Sequence, residues 1–243
     1  MTTQSERHAI VTEAEPKTLG LVAGLGVGAA VFYYRALVDA HLKRGLTPHL
    51  LMVHADVRRV MELAQARATR ELAEYLAGLL QQLAAGGADI ATVPAFAPQV
   101  CAEELEGLTP LPLISVLDAI VAETERREIR RAAIFGAHVT METELFGRLQ
   151  GVADVAPLAP TAFHQVGEIY RSIAETGQAS PGEFKTLQSL ALQLVDSDDA
   201  DAIILAGTDL AFVFRPENTT FPHLDGARIH IEAIMRAITG SPR

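Results

Sequence analysis

The sequence predicts an α/β fold of two pseudo-symmetric, Rossmann-like halves, each a mainly parallel sheet flanked by helices, with a ligand cleft between them. Three observations carry this. Short apolar, strand-like runs alternate with helix-length amphipathic segments, the pattern of a parallel sheet. Ala88-Asp89-Ile90-Ala91-Thr92-Val93 is echoed by Ala200-Asp201-Ala202-Ile203-Ile204-Leu205, and aligning the two Ala-Asp pairs sets Ala95 opposite Gly207; such an echo signals two similar units. Both runs end in small-residue turns, and open parallel sheets bind ligands beyond the carboxyl ends of their strands.

Composition bounds the rest. With 243 residues and 49% hydrophobic content the chain can form two cored domains, each of roughly 110 residues. A net charge of -10 argues against a general nucleic-acid surface, which needs clustered Lys and Arg. The single cysteine, Cys101, rules out an intramolecular disulfide and fits a reducing cytoplasm. Residues 1–17 read as a polar leader without the apolar segment of a signal peptide. The uncharged run Leu19–Tyr34 holds four glycines and falls short of the roughly twenty residues of a membrane span. The expectation is a cytoplasmic protein with neither membrane nor nucleic acid as partner.

In order, Leu19–Ala23 reads as a buried strand, Gly24–Gly28 as a turn and Ala29–Arg44 as a helix. A second strand, His49–Val53, ends at His54-Ala55-Asp56. Ala68–Ala85 is helical because Leu72, Leu76, Leu79, Leu80 and Leu83 recur at spacings of three and four, and Gly86-Gly87 stops it. Strand Ile90–Val93 leads into the Pro94–Gln99 turn, a short helix with Cys101 and a fourth strand at Leu113–Ser115. The second half restarts with strand Arg131–Phe135, loop Gly136–Thr140, helix Met141–Leu149 and a weaker strand Val152–Leu158. Helices Phe163–Thr176 and Pro181–Val195, strand Ala202–Leu205 and helix Ala227–Ile238 complete it. The expected domains are 17–115 plus 225–240, and 116–224.

Gly24-Leu25-Gly26-Val27-Gly28-Ala29 contains the G-x-G-x-x-A of a dinucleotide site. The acidic residue that should close the second strand about twenty residues on is missing, since Asp56 stands about thirty away. A tight turn for close packing is the preferred reading, and no cofactor is expected. The scattered histidines lack ligand spacing, so no metal site is expected either.

Four motifs stand in register: Leu19–Gly26, Gly87-Ala88-Asp89 before a strand ending at Pro94, Phe135-Gly136-x-x-x-Thr140, and Ala200-Asp201 before Leu205-Ala206-Gly207-Thr208-Asp209. Together they resemble the Asp/Glu/hydantoin racemase family, from about Lys17 to Ile238. The resemblance implies two pseudo-symmetric domains, a cofactor-independent reaction in the cleft, a small carboxylate-bearing substrate and a homodimer. It also implies two cysteines that flank the substrate Cα, one removing the proton and the other returning it.

Both thiols are missing here. The segment matching P-C-N-T-A is Pro94-Ala95-Phe96-Ala97-Pro98, and the one matching G-C-T-E is Ala206-Gly207-Thr208-Asp209. A lysine that some members carry is also absent from Glu168–Gly177, which begins Glu168-Ile169-Tyr170-Arg171-Ser172. Abstracting a proton alpha to a carboxylate needs a base within about 3 Å, and neither Ala95 nor Gly207 carries one. Two-thiol racemisation of aspartate or glutamate is therefore not expected. The remaining proton-transfer candidates are Asp209, Asp56 and His138, with Cys101 read as a core residue. Thr208 and Thr140 are the expected anchors for a substrate carboxylate, with Arg59 as a clamp in the manner of the family and Gly24 and Phe96 completing the lining. The leading expectation is a racemase- or isomerase-like enzyme with non-cysteine acid/base groups. A ligand-binding or regulatory relative and a one-base lyase or decarboxylase stay open.

Overall fold

A computed structural model describes residues 17–197 and 200–240; apart from Lys17, the expected leader lies outside the described residues. β1 (Leu19–Ala23) and α1 (Val27–Lys43) open the chain. Then come β2 (Leu50–His54), α2 (Val57–Gln65), α3 (Thr69–Ala85) and β3 (Ile90–Thr92). These strands form a sheet of order β2-β1-β3, every pairing parallel. A 3-10 turn (Ala97–Cys101), α4 (Ala102–Glu106) and α5 (Val116–Arg126) follow.

The second half contributes β4 (Arg131–Gly136), α6 (His138–Glu142), β5 (Asp154–Val155), α7 (Pro160–Thr176) and α8 (Pro181–Ser197). It ends with β6 (Ala202–Ala206), α9 (Leu210–Val213), β7 (His223–Asp225) and α10 (Gly226–Thr239). Its sheet runs β5-β4-β6-β7, again wholly parallel. Order for order, this repeats the first sheet. The fourth strand expected at Leu113–Ser115 is reduced to one parallel bridge, Leu113 to Ala91, in the place β7 takes in the second sheet.

The Ala-Asp echo has a structural cause. Asp89 Oδ2 accepts from the N–H of Thr18, just before β1, and Asp201 Oδ2 accepts from the N–H groups of Arg130 and Arg131, at the start of β4. In both halves this carboxylate ties the start of the central strand to its neighbour. The Arg130 and Arg131 N–H groups hold the Asp201 carboxyl below the ordinary range.

Apolar spacing places the helices. Leu72, Leu76, Leu79, Leu80 and Leu83 of α3 are buried against one face of the first sheet. The crossing elements interlock the halves. Val116, Leu117 and Ile120 of α5 join the core of the second sheet, while Ile231, Ile234, Met235 and Ile238 of α10 pack with Leu19, Leu21, Tyr33 and Leu37. Burying such a side chain is worth about 1.5–3 kcal/mol, so each crossing helix ties its half firmly to the other.

The helix expected at Met141–Leu149 differs: α6 spans His138–Glu142, and Glu144, Leu145 and Phe146 then adopt left-handed φ of 51, 57 and 58°. Such backbone is unfavourable by roughly 1–2 kcal/mol per residue. The turn nevertheless buries Leu145 and Leu149 in the second core, and Leu145 N–H bonds Thr140 C=O at 2.9 Å.

Candidate functional site

The carboxyl ends of β1 and β6 meet across the two halves. A Cβ at Gly26 would stand 3.2 Å from Asp209 Oδ2, and one at Gly28 would stand 2.8 Å from Phe212 Cζ. Gly24, at φ 85°, would meet the Ala55 carbonyl at 2.6 Å. The glycines of this turn thus serve close packing against protein groups. A second crossing comes from the loop after β3. Ala95 is buried there, and the ring of Phe96 enters the second core against Gly226, whose Cβ would lie 2.5 Å from Phe96 Cζ. The Gln99 side-chain amide pins this loop by donating to the carbonyls of Val93 and Ala95 at 3.2 and 2.9 Å.

Cys101 is buried with its thiol donating to the Pro98 carbonyl. Burial, aided by Glu104, pushes the thiol up to about 12, so it stays protonated and unreactive.

At the end of β4, His138 and Thr140 sit on α6. The His138 ring packs over Gly167 of α7 and against Phe163 at 5.4 Å. Both His138 Nε2 and the Thr140 hydroxyl are buried without a hydrogen-bond partner. Such orphaned groups are rare in native proteins and call for an explanation.

The end of β6 carries Gly207-Thr208-Asp209. Thr208 and Asp209 are each 1% exposed. Burial raises the Asp209 carboxyl to about 6, against the opposing pull of backbone N–H groups of Ala29 and Asp209 and of the Tyr170 hydroxyl. Oδ1 of Asp209 has no hydrogen-bond partner. Tyr170 stands where a side chain at 207 would project: a Cβ on Gly207 would overlap its ring, 2.7 Å from Cζ. Burial first, then the charge of Asp209, raises the phenol well above its ordinary value.

Asp56 and Arg59 form a separate group. Asp56 caps α2, its Oδ1 accepting from the N–H groups of Arg58 and Arg59 at 3.0 and 3.4 Å, while its own N–H donates to Tyr75 Oη at 2.7 Å. The Arg59 guanidinium lies over the Tyr75 ring at 4.6 Å. The structure therefore brings Gly26 and Gly28 against Asp209, sets Gly24 against Ala55 and His54, and packs His138 on Gly167 of α7, while the Asp56 carboxylate accepts from the Arg59 N–H and both residues contact Tyr75.

Tyr170 is the residue the sequence reading missed. Gly167 in mid-helix, where glycine is unfavourable by about 1 kcal/mol and calls for a packing reason, marks the face of α7 turned to the site, although the ring it admits is that of His138. Phe163, Gly167 and Tyr170 recur at spacings of four and three on the same helix face.

Among the described residues no group of three His, Cys, Asp or Glu side chains is placed to hold a metal ion. No helix among them is long and apolar enough to cross a membrane. A groove of about 500 Å³ opens elsewhere, beside α4 and the 109–115 segment, without Ala95, Gly207 or Asp209 in its wall.

Residues 22–234 match the family model described as Asp/Glu/Hydantoin racemase. No curated protein matches the sequence. Among solved structures, a candidate Asp/Glu racemase from Yersinia pestis is 22% identical with a TM-score of 0.78, over 91% of this chain and 99% of that one. An aspartate racemase homologue from Pyrococcus horikoshii OT3 is 16% identical with a TM-score of 0.76, over 93% and 100%. A mutant arylmalonate decarboxylase in its liganded form is 13% identical with a TM-score of 0.53, over 93% and 94%. At these identities the structural likenesses establish a shared fold.

Proposed function

The chain belongs to the Asp/Glu/hydantoin racemase family, and from that premise we propose that it is a cofactor-independent enzyme acting on a small carboxylate-bearing compound by proton transfer at one face. Asp209 is the acid/base group. The observation that carries this reading is its buried carboxyl at the end of β6, raised to about 6 by desolvation, the range in which a carboxyl can both give and take a proton near neutrality. Position 95, matched to the family's first cysteine, carries only a methyl group, so no second proton donor stands there. Thr140 and Thr208 anchor the substrate carboxylate. The orphaned Thr140 hydroxyl supports that role, because a bound carboxylate would complete its hydrogen bonding. One-sided proton transfer suits a decarboxylation or an isomerisation with a single base, and a fold shared with a decarboxylase as well as with racemases accommodates either.

The test is proton NMR in deuterated water with aspartate, glutamate and a panel of small α-substituted malonates. Deuterium should enter Cα of a malonate-type substrate with one handedness, and Asp209→Asn should abolish it. Racemisation of aspartate or glutamate, or exchange that survives Asp209→Asn, would overturn the reading. Saturable binding without any exchange would favour the second reading, a ligand-binding relative, which the burial of Thr140, Thr208 and Asp209 also supports.

A further inference from the structure

Two glycines receive rings in the second half. Gly167 of α7 admits the ring of His138, and Gly207, in the turn after β6, admits the ring of Tyr170 from α7. At Gly207 the fit excludes alternatives: a Cβ would lie 2.7 Å from Tyr170 Cζ and 2.9 Å from Cδ2, closer than real Cβ atoms approach a neighbour. A side chain at 207 and the ring of Tyr170 are mutually exclusive. The ring in that place brings its hydroxyl to Asp209, two residues further on.

We propose that Gly207 and Tyr170 act as one unit, in which the empty position at 207 seats the phenol ring so that its hydroxyl orients the Asp209 carboxyl. Tyr170 is then a positioning residue for Asp209, an inference that rests on reading Asp209 as the proton-transferring group. Oδ1 of Asp209 has no hydrogen-bond partner, and among the groups that bond the carboxyl, the backbone N–H groups of Ala29 and Asp209 and the Tyr170 hydroxyl, Tyr170 is the one side chain. Gly26 and Gly28, which also face Asp209, come from the first half, whereas Tyr170 packs on the second core, the core that carries β6 and the turn with Asp209. Burial and the neighbouring carboxyl keep the phenol protonated, so it acts as a fixed O–H donor and not as a second base.

The experiment is carbon-13 NMR of the full-length protein labelled at aspartate carboxyls, with Asp209→Asn assigning the resonance. The hydroxyl lowers the proton affinity of Asp209, so Tyr170→Phe, which keeps the ring, should move the titration upward by about one pH unit. An unchanged or lowered midpoint would overturn the proposal. Gly207→Ala supplies an independent reading. It should lower the melting temperature of the native protein but add no further loss in a Tyr170→Ala background, since the clash is then gone. An equal loss in both backgrounds would refute the shared unit. The titration needs no substrate, so a shifted midpoint without exchange chemistry would sink only the proposed function. Active exchange with an unshifted midpoint would sink only this inference.

Discussion

Replacing Asp209 by Asn should stabilise the protein at neutral pH, and the structure sets the size of the gain. Burial lifts this carboxyl from 3.8 to about 6, a rise equivalent to about 3 kcal/mol. The folded state holds the proton more tightly than the unfolded chain. The group's stabilising contribution is therefore complete below pH 3.8 and is lost as pH rises through about 6. Above pH 7 the native protein keeps a buried, ionised carboxylate at the full penalty. Asn cannot ionise, so the stability difference between variant and native protein should be flat below pH 4 and climb by about 3 kcal/mol by pH 7 to 8. Any deficit from the amide's extra donors shifts the whole curve without changing its shape. The assay is urea unfolding from pH 4 to 8, followed by far-ultraviolet circular dichroism and tyrosine fluorescence to check that both halves unfold together. A difference independent of pH would mean that Asp209 is solvated, and a fall with rising pH would mean that a cation partners it. Either result refutes the reasoning from burial to proton affinity. A gain in stability with loss of exchange activity is the usual behaviour of a group kept strained for chemistry.

Two further outcomes follow from buried groups elsewhere. His230 of α10 is buried against Tyr33, Thr92 and the Ile114 carbonyl, and desolvation lowers it to about 4, opposed by the Ile114 bond. Its contribution is present above pH 6.5 and lost as pH falls through about 4. His230→Gln should flatten acid destabilisation over that window in the same urea titration, and an unchanged acid limb would refute this. Gly226→Ala should destabilise by about 1–3 kcal/mol through overpacking. It should remain destabilising with Phe96→Ala, because the Leu205 carbonyl, 2.8 Å from the added Cβ, is backbone and cannot yield; a full rescue in a thermal melt would refute the geometry.

The parallel α/β architecture was legible because strand and helix periods are local signals. β1 spans Leu19–Ala23 as read, and α3 starts within one residue of its expected position. Elements whose signal is short or tertiary were not legible. α2, α5, α9 and β7 were not read at all, and the third residue of the expected fourth strand, Ser115, instead caps α5 by accepting from the Asp118 N–H. Three consecutive left-handed residues after α6 could not be foreseen from Glu144, Leu145 and Phe146, none of which favours that backbone; only the burial of Leu145 and Leu149 makes it tolerable.

By itself, the sequence determined the family, the doubled sheet and the absence of a thiol at positions 95 and 207, since each depends on residue type and order alone. It also placed Asp209 just beyond a strand end. Tertiary structure decided what these positions mean. The Ala-Asp echo became a hydrogen-bonded clasp, the glycine turn became a packing surface for Asp209 and Phe212, and the empty place at 207 was filled from α7, some thirty-seven residues earlier. The reason is physical. Burial and contact depend on which segments meet in space, and the proton affinity of Asp209 is set by neighbours that no local pattern names.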